Sequence, residues 1–292
     1  MSQAFLCRIL LAAALCVSAV HAEGLKVVYP ANETAGDPRF NDLLEILQQA
    51  LEKTQAEYGP FELKASAAGM TEARYLADLR SPAHEVNVAW TSTSIEKEKQ
   101  LLPLRIPLRK GILGYRIALI AQDKQALVDR VAGIDDLRKL SFGQGIGWGD
   151  VKLYEANGFH VSEAKYESLF AMVALGRFDL FPRGISEVFA EFESHSRANP
   201  KLAIEKNLLI YYPWPYYFFF NKQDVELQKR IESGIRRMMA DGSYDALFRK
   251  YNGKAIEQAE LKRRRIIRIN NDMLPKETPL NEPALWFDPA RY

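Results

Sequence analysis

The sequence predicts an α/β protein of two lobes, each a mostly parallel sheet flanked by helices, joined by two crossing segments. Three observations carry this. Strand-like and helix-like apolar patterns alternate along the chain, which favours sheets covered by helices. The 292 residues, 48 % of them hydrophobic and 26 % charged, form a folding composition longer than the roughly 100–200 residues of a usual single core. Two segments mixing Pro or Gly with apolar residues, Pro107-Leu-Arg-Lys-Gly-Ile-Leu-Gly114 and Tyr211-Tyr-Pro-Trp-Pro-Tyr-Tyr217, lie about a hundred residues apart and bracket a stretch sized as an inserted lobe.

The elements follow in order. Residues 25–30 read as a short strand, and Leu43, Leu44, Leu47, Ala50 and Leu51 recur at helical spacing through 40–58 before Gly59-Pro60 stops the helix. A strand over 61–65, a helix over 70–79 and a strand over 86–90 complete a β-α-β-α-β opening. The middle repeats the pattern, with strands near 113–120, 141–143, 159–161 and 178–181 and helices over 126–140, 151–157 and 168–176. A last strand over 214–220 and a helix over 224–251, with Leu227, Ile231, Ile235, Met238 and Met239 on one face, return the chain to the first lobe. The division expected is 23–112 with 215–252 for lobe 1 and 113–214 for lobe 2. An extended tail, 253–292, packs on a lobe, with Trp286 and Phe287 as anchors.

The first 22 residues read as a cleaved export signal: one charge, Arg8, an apolar run over 9–20, and Val20-His21-Ala22 where a signal peptidase cuts. The run is too short to span a bilayer, which takes about 20 residues, so the mature chain is expected in the periplasm. Both cysteines, Cys7 and Cys16, fall within residues 1–22, so disulfide and thiol chemistry are excluded from the mature chain. Lys and Arg number 39 against 37 Asp and Glu, a balance that argues against nucleic acid as partner. His84, His160 and His195 stand far apart and in no metal-ligand spacing. A Gly-x-Ser-x-Gly elbow and a phosphate-binding Gly-rich loop with its Lys are both missing. Neither catalysis nor a cofactor is expected.

The motifs Thr93-Ser-Ile-Glu-Lys-Glu-Lys99, Ile134-Asp-Asp-Leu-Arg-Lys-Leu-Ser-Phe-Gly143, Ala174-Leu-Gly-Arg-Phe-Asp179 and Met239-Ala-Asp-Gly-Ser-Tyr-Asp-Ala-Leu-Phe-Arg-Lys-Tyr251, in this order, resemble the family 3 extracellular solute-binding proteins over nearly the whole mature chain up to about Asn252. The resemblance implies the type 2 periplasmic-binding-protein fold, whose two α/β lobes close on a small solute by hinge motion. It also implies delivery of that solute, by a monomer, to the permease of an ABC-type importer. A periplasmic sensor reporting to a membrane receptor is the alternative from another class, and a hydrolase using the same cleft is the weakest.

Candidate ligand contacts follow the places where strands end and helices begin. Gly143-Gln-Gly-Ile-Gly-Trp-Gly-Asp150 is a glycine-rich strand-to-helix turn whose amides, Gly147 among them, can approach an anion. The other reading is a tight turn with Asp150 as helix cap. Trp148 in this loop needs a packing partner, either a ligand or the opposing lobe. Trp90, Thr91 and Thr93 follow a strand where the family lines its cleft with hydroxyls, and the threonines serve equally as helix caps. Where amino-acid binders of the family carry an Arg, this chain has Lys97 or, without a gap, Lys99, a point charge without the planar fork. After Gly176-Arg-Phe-Asp179 the family's amine-holding Asp is replaced by Gly184, with Arg183 beside it. That exchange points to a carboxylate, phosphate or similar anion and weakens the ordinary amino-acid reading, with an ion pair to Glu187 as the plainer account of Arg183; the guest expected is a small polar solute, anionic or amino-acid-like. Arg74 and Arg39 can add positive potential to lobe 1, or stay solvated, and Tyr216 can reach the solute. The run Lys262-Arg-Arg-Arg265 with Arg268 reads as the wet face of a strand or helix.

Overall fold

A computed structural model describes residues 24–32 and 38–291; residues 1–22, read above as an export signal, lie outside the described residues. No helix among them is long and apolar enough to cross a membrane. Helix and strand alternate as expected, in two lobes.

In the first lobe β1 (Leu25–Ala31) pairs in parallel with β2 (Phe61–Gly69), Val27 opposite Leu63. Between them run α1 (Asn41–Lys53) and the single turn α2 (Gln55–Tyr58). After α3 (Glu72–Arg80), β3 (Ala89–Ser92) and α4 (Ile95–Gln100), β4 (Leu102–Leu108) leads out of the lobe. The Asn87 and Val88 amides donate to Val28 O and set β1 beside β3. On α1, Leu43, Ile46, Leu47, Ala50 and Leu51 recur at three- and four-residue spacing and are all buried. They meet Val27, Trp90, Leu104 and Phe218 in one core. Each fully buried Leu or Ile there contributes about 1.5–3 kcal/mol of transfer free energy.

The second lobe holds β5 (Tyr115–Ala121), α5 (Gln125–Val128), α6 (Ile134–Leu137), β6 (Ser141–Gly145), α7 (Gly149–Ala156), β7 (His160–Ala164), α8 (Tyr166–Ala174), β8 (Phe181–Gly184), α9 (Ile185–Ser196), β9 (Leu202–Ile204) and β10 (Leu208–Tyr211). β5 is buried along its whole length and separates two cores. Ile117 and Leu119 face Phe170, Phe178 and Phe181, while Ala118 and Ile120 face Phe142, Tyr154 and Tyr212. This is the period-two alternation of a strand covered on both faces.

The chain returns through β11 (Tyr216–Phe220), α10 (Val225–Ala240) and α11 (Ser243–Ala259). The single helix expected over 224–251 is therefore two, broken by the turn at Asp241-Gly242. Leu227, Ile231, Ile235 and Met238 are buried on α10 as their spacing requires. Beyond residue 252 the chain first completes α11, then adds β12 (Arg265–Arg268) in parallel to β10, Leu209 opposite Ile266. Irregular segments and single turns follow.

The sheets are mixed, which corrects the mostly parallel sheets expected. β1/β2, β6/β7 and β10/β12 are parallel, but β11 runs antiparallel to β3 and β4, and β5 antiparallel to β8, β9 and β10. For two of these pairs the reason is topological: β4 and β5 carry the chain out of the first lobe, β10 and β11 carry it back, and the leaving and returning strands pair head to tail, β4 with β11 and β5 with β10. The two crossings touch where the Tyr212 amide donates to Gly114 O over 3.1 Å. A Cβ on Gly114 would sit 2.1 Å from Tyr212 O, so no other residue fits there without moving one crossing.

Candidate functional site

Two polar groups lie on either side of the crossings. On the first lobe, Lys97 Nζ donates to Thr91 Oγ1 at 2.7 Å, to Ser92 O at 2.9 Å and to Glu72 Oε1 at 2.9 Å, and Thr91 Oγ1 donates to the same Glu72 oxygen. β3 ends at Ser92, Ser94 caps α4 by accepting from the Lys97 amide, and this turn brings Lys97 back over the strand end. Thr91 is fully buried, while the Lys97 and Glu72 side chains keep 25 % and 48 % of their surface in solvent. The pair is thus the open part of the group.

On the second lobe the residues are almost all arginine and carboxylate. Arg116, 5 % exposed, donates from Nη2 to Asp150 Oδ2 at 2.8 Å and lies 3.5 Å from Glu187 Oε2 through Nη1. Its Nε is buried without a hydrogen-bond partner among the described residues. Asp150 also accepts from the Tyr212 hydroxyl, which in turn accepts from Tyr154 at 3.2 Å. Arg183 donates from Nε and Nη2 to both oxygens of Glu191, at 2.6 and 2.7 Å, and sits 3.4 Å from Glu187. Burial opposes the charge on both arginines, but the surrounding carboxylates outweigh it and hold both pKa values above the ordinary guanidinium range. Burial likewise raises Glu187, and Arg183, Arg116 and the Gly184 amide overcome it, leaving its carboxyl below the usual range.

Tyr216, at the start of β11, joins the two groups. Burial raises its hydroxyl pKa, Glu72 from the first lobe adds to the rise, Arg109 opposes it, and Glu187 and Asp150 from the second lobe add again. One phenol therefore feels carboxylates from both lobes. In the two groups each cation already holds a carboxylate of its own: Lys97 holds Glu72, Arg116 holds Asp150 and Arg183 holds Glu191.

The sequence-predicted residues separate in the structure. Thr91 and Lys97 are brought together. Thr93 lies close by, but its hydroxyl is buried and donates to Glu98 at 2.6 Å. Trp90 is a correction: at 2 % exposure it belongs to the core, edge-on to Phe218 with centroids 6.4 Å apart, because alternation on β3 points it inward. Gly147 has a left-handed φ of 77° and its amide donates to Glu163 at 3.0 Å. Trp148 finds its partner inside its own lobe, with the Arg183 guanidinium 4.7 Å from its ring centroid and Phe181 stacked at 6.3 Å. Arg74 is exposed on α3, and its amide is capped by Thr71. Arg183 is not an open anion receptor, since Glu191 occupies both its Nε and Nη2. Glu187 and Glu191 are spaced four apart on α9 and so share a face. That spacing was the signal in the sequence. Glu72 and Arg116 left none, because only the fold brings them to the crossings.

Neither a protein-family profile nor a curated protein matches the sequence. Solved structures do. A protein of Bacillus subtilis superposes with a TM-score of 0.54 at 15 % identity, over 84 % of this chain and 96 % of its own. An amino acid ABC transporter substrate-binding protein of Streptococcus pneumoniae, AbpA, bound to L-arginine, gives 0.51 at 16 % identity over 80 % and 95 %. An ancestral amino-acid-binding protein described as a precursor of cyclohexadienyl dehydratase gives 0.50 at 17 % identity over 78 % and 95 %. At these identities the likeness speaks for architecture, and the chain has the two-lobed type 2 periplasmic-binding-protein fold.

Proposed function

We propose that the protein captures a small amino-acid-like solute between its lobes in the periplasm and hands it, unchanged, to the permease of an ABC-type importer. The lobes in this reading are 23–112 with 215–252, and 113–214. The observation that carries the proposal is that every cation of the two polar groups is paired with a carboxylate, Lys97 with Glu72, Arg116 with Asp150 and Arg183 with Glu191. A guest with a lone negative charge meets no unpaired cation among Lys97, Arg116 and Arg183. A zwitterion can exchange partners, its carboxylate taking the half-open Lys97 ammonium and its ammonium taking Glu72 or Glu187, so that no charge is left uncompensated on closure. Thr91, the Gly147 turn and Trp148 against Arg183 shape the rest of the site, and Arg74 lies at its margin. The solved relatives described as amino-acid-binding support the same class of guest.

The test is a thermal-shift and calorimetric panel of amino acids, dicarboxylates, phosphates and sugars. A true ligand at 100 times its Kd adds about 2.7 kcal/mol of stability. Amino acids are expected to shift melting. A shift with sugars alone, or turnover of a bound compound, overturns the reading.

A further inference from the structure

The chain beyond α11 does more than cover one lobe: it is bonded to both crossings. At the second crossing, the Ile269 amide donates to Tyr211 O at 2.8 Å and Asn271 Nδ2 donates to Pro213 O at 2.9 Å. At the first, the Phe287 amide donates to Lys110 O at 2.8 Å, and Tyr115 Oη donates to Phe287 O at 3.0 Å. Two adjacent side chains then part company. Trp286 packs against the first-lobe core, its indole N–H donating to Pro279 O at 2.8 Å. Phe287 is buried in the second-lobe core, edge-on to Tyr115 with centroids 5.2 Å apart and beside Phe248.

The first crossing at this spot has an unusual backbone. Arg109, Lys110 and Gly111 have successive φ values of 55°, 51° and 65°, a left-handed run that two of these side chains disfavour. It is held from several sides. Arg109 forks onto Asp42 and also reaches Arg39 O at 2.6 Å, and Lys110 pairs with Asp245. Trp286 lies so close over Gly111 that a Cβ there would come within 2.6 Å of the ring. Such over-determined strain marks a place where a backbone change is being held back.

We infer that residues 269–288 form a clasp, a tie between the lobes beyond the two crossings and α11, which restrains rotation about both crossings and limits how far the lobes open without solute. This rests on the two-lobe capture reading and adds a control element to it. The same bonds must bend or break when the crossings change φ and ψ, so releasing them loosens the hinge before it loosens either core.

The experiment compares the full chain with Trp286→Ala and with the gentler pair Tyr115→Phe and Asn271→Ala, which removes one bond at each crossing and leaves the rings in place. Spin labels at Ala56→Cys and Ala198→Cys, one exposed position per lobe, with Cys7 and Cys16 changed to Ser, give the interlobe distance distribution without solute. Release of the clasp is expected to broaden it and to speed amide exchange over residues 109–115 roughly tenfold, while β1 and β3 keep their rates. An unchanged distribution with freely exchanging amides at 271–288 would overturn the inference. So would equal acceleration throughout the chain, which means lost global stability only. Should Trp286→Ala not fold, the Tyr115 and Asn271 pair decides. A clasp effect in a chain that binds nothing from the solute panel would strike the capture reading and leave the clasp standing.

Discussion

Arg183 and Lys97 are both cations at the candidate site, and their surroundings give them different duties. The Arg183 side chain is 8 % exposed and its Glu191 partner 13 %, so Arg183→Ala leaves buried carboxylates uncompensated and is expected to cost about 3–5 kcal/mol of stability. The Lys97–Glu72 pair is partly solvated, at 25 % and 48 % exposure, and a pair near the surface contributes about 0–1 kcal/mol. Lys97→Ala should therefore leave Tm within a degree or two while abolishing the ligand-induced shift, which melting with and without amino acid will show. Glu187 supplies the pH dependence. Its folded pKa is depressed, so its contribution to stability is present above the ordinary Glu value of about 4.3 and is lost as pH falls through the lower folded value. Asp179, held low through the Ser141 amide and hydroxyl and by Lys124 against the cost of burial, acts in the same window. Stability should stay level down to about pH 4 and then fall, and Glu187→Gln should flatten that fall in denaturant titrations across pH 2–7.

The crossings decide the behaviour of the elements. At Gly114 the backbone of one crossing touches the other, and Gly114→Ala places a methyl group against Tyr212 O. Overpacking of this kind costs about 1–3 kcal/mol and is expected to lower the denaturant midpoint with little change in slope. Much of this level was legible in the sequence. Period-four apolar spacing gave α1, α8 and α10, the Pro- and Gly-rich segments gave both crossings, and the alternation of patterns gave the α/β class. Strand direction was not legible, because parallel and antiparallel pairing bury the same residues and differ only in connectivity. The turn at Asp241-Gly242 was hidden by an apolar stripe that continues across it. β12 was hidden because Arg265 and Arg268, both exposed, flank Ile266 and the buried Ile267, a pattern shared by any wet-faced element. At the site, hydroxyls and Lys97 could be named in advance, and the four-residue spacing of Glu187 and Glu191 held a signal for the partners of Arg183, but pairs such as Glu72 with Lys97 and Asp150 with Arg116 join residues 25 and 34 positions apart, which spacing does not encode.

At the scale of the whole molecule the cores divide along the lobes. The first-lobe core takes its buried residues from Val27 to Leu108 and from Phe218 to Leu247, with Leu285 added from the tail; the cores flanking β5 take theirs from Ile112 to Tyr212 and from Phe248 onward. α11 contributes to both sides, since Leu247 lies in one core and Phe248 in the next. Rotation about the crossings thus leaves each core intact but must carry α11 and the clasp with it. Such a molecule should become more compact on binding. The most direct measurement is the interlobe distance distribution during titration with the amino acid that gives the largest thermal shift, followed by recovery of the bound compound. The lobes should draw together as the site fills, with the compound recovered intact; saturable binding with no change in distance, or a chemically altered compound, would contradict capture by closure.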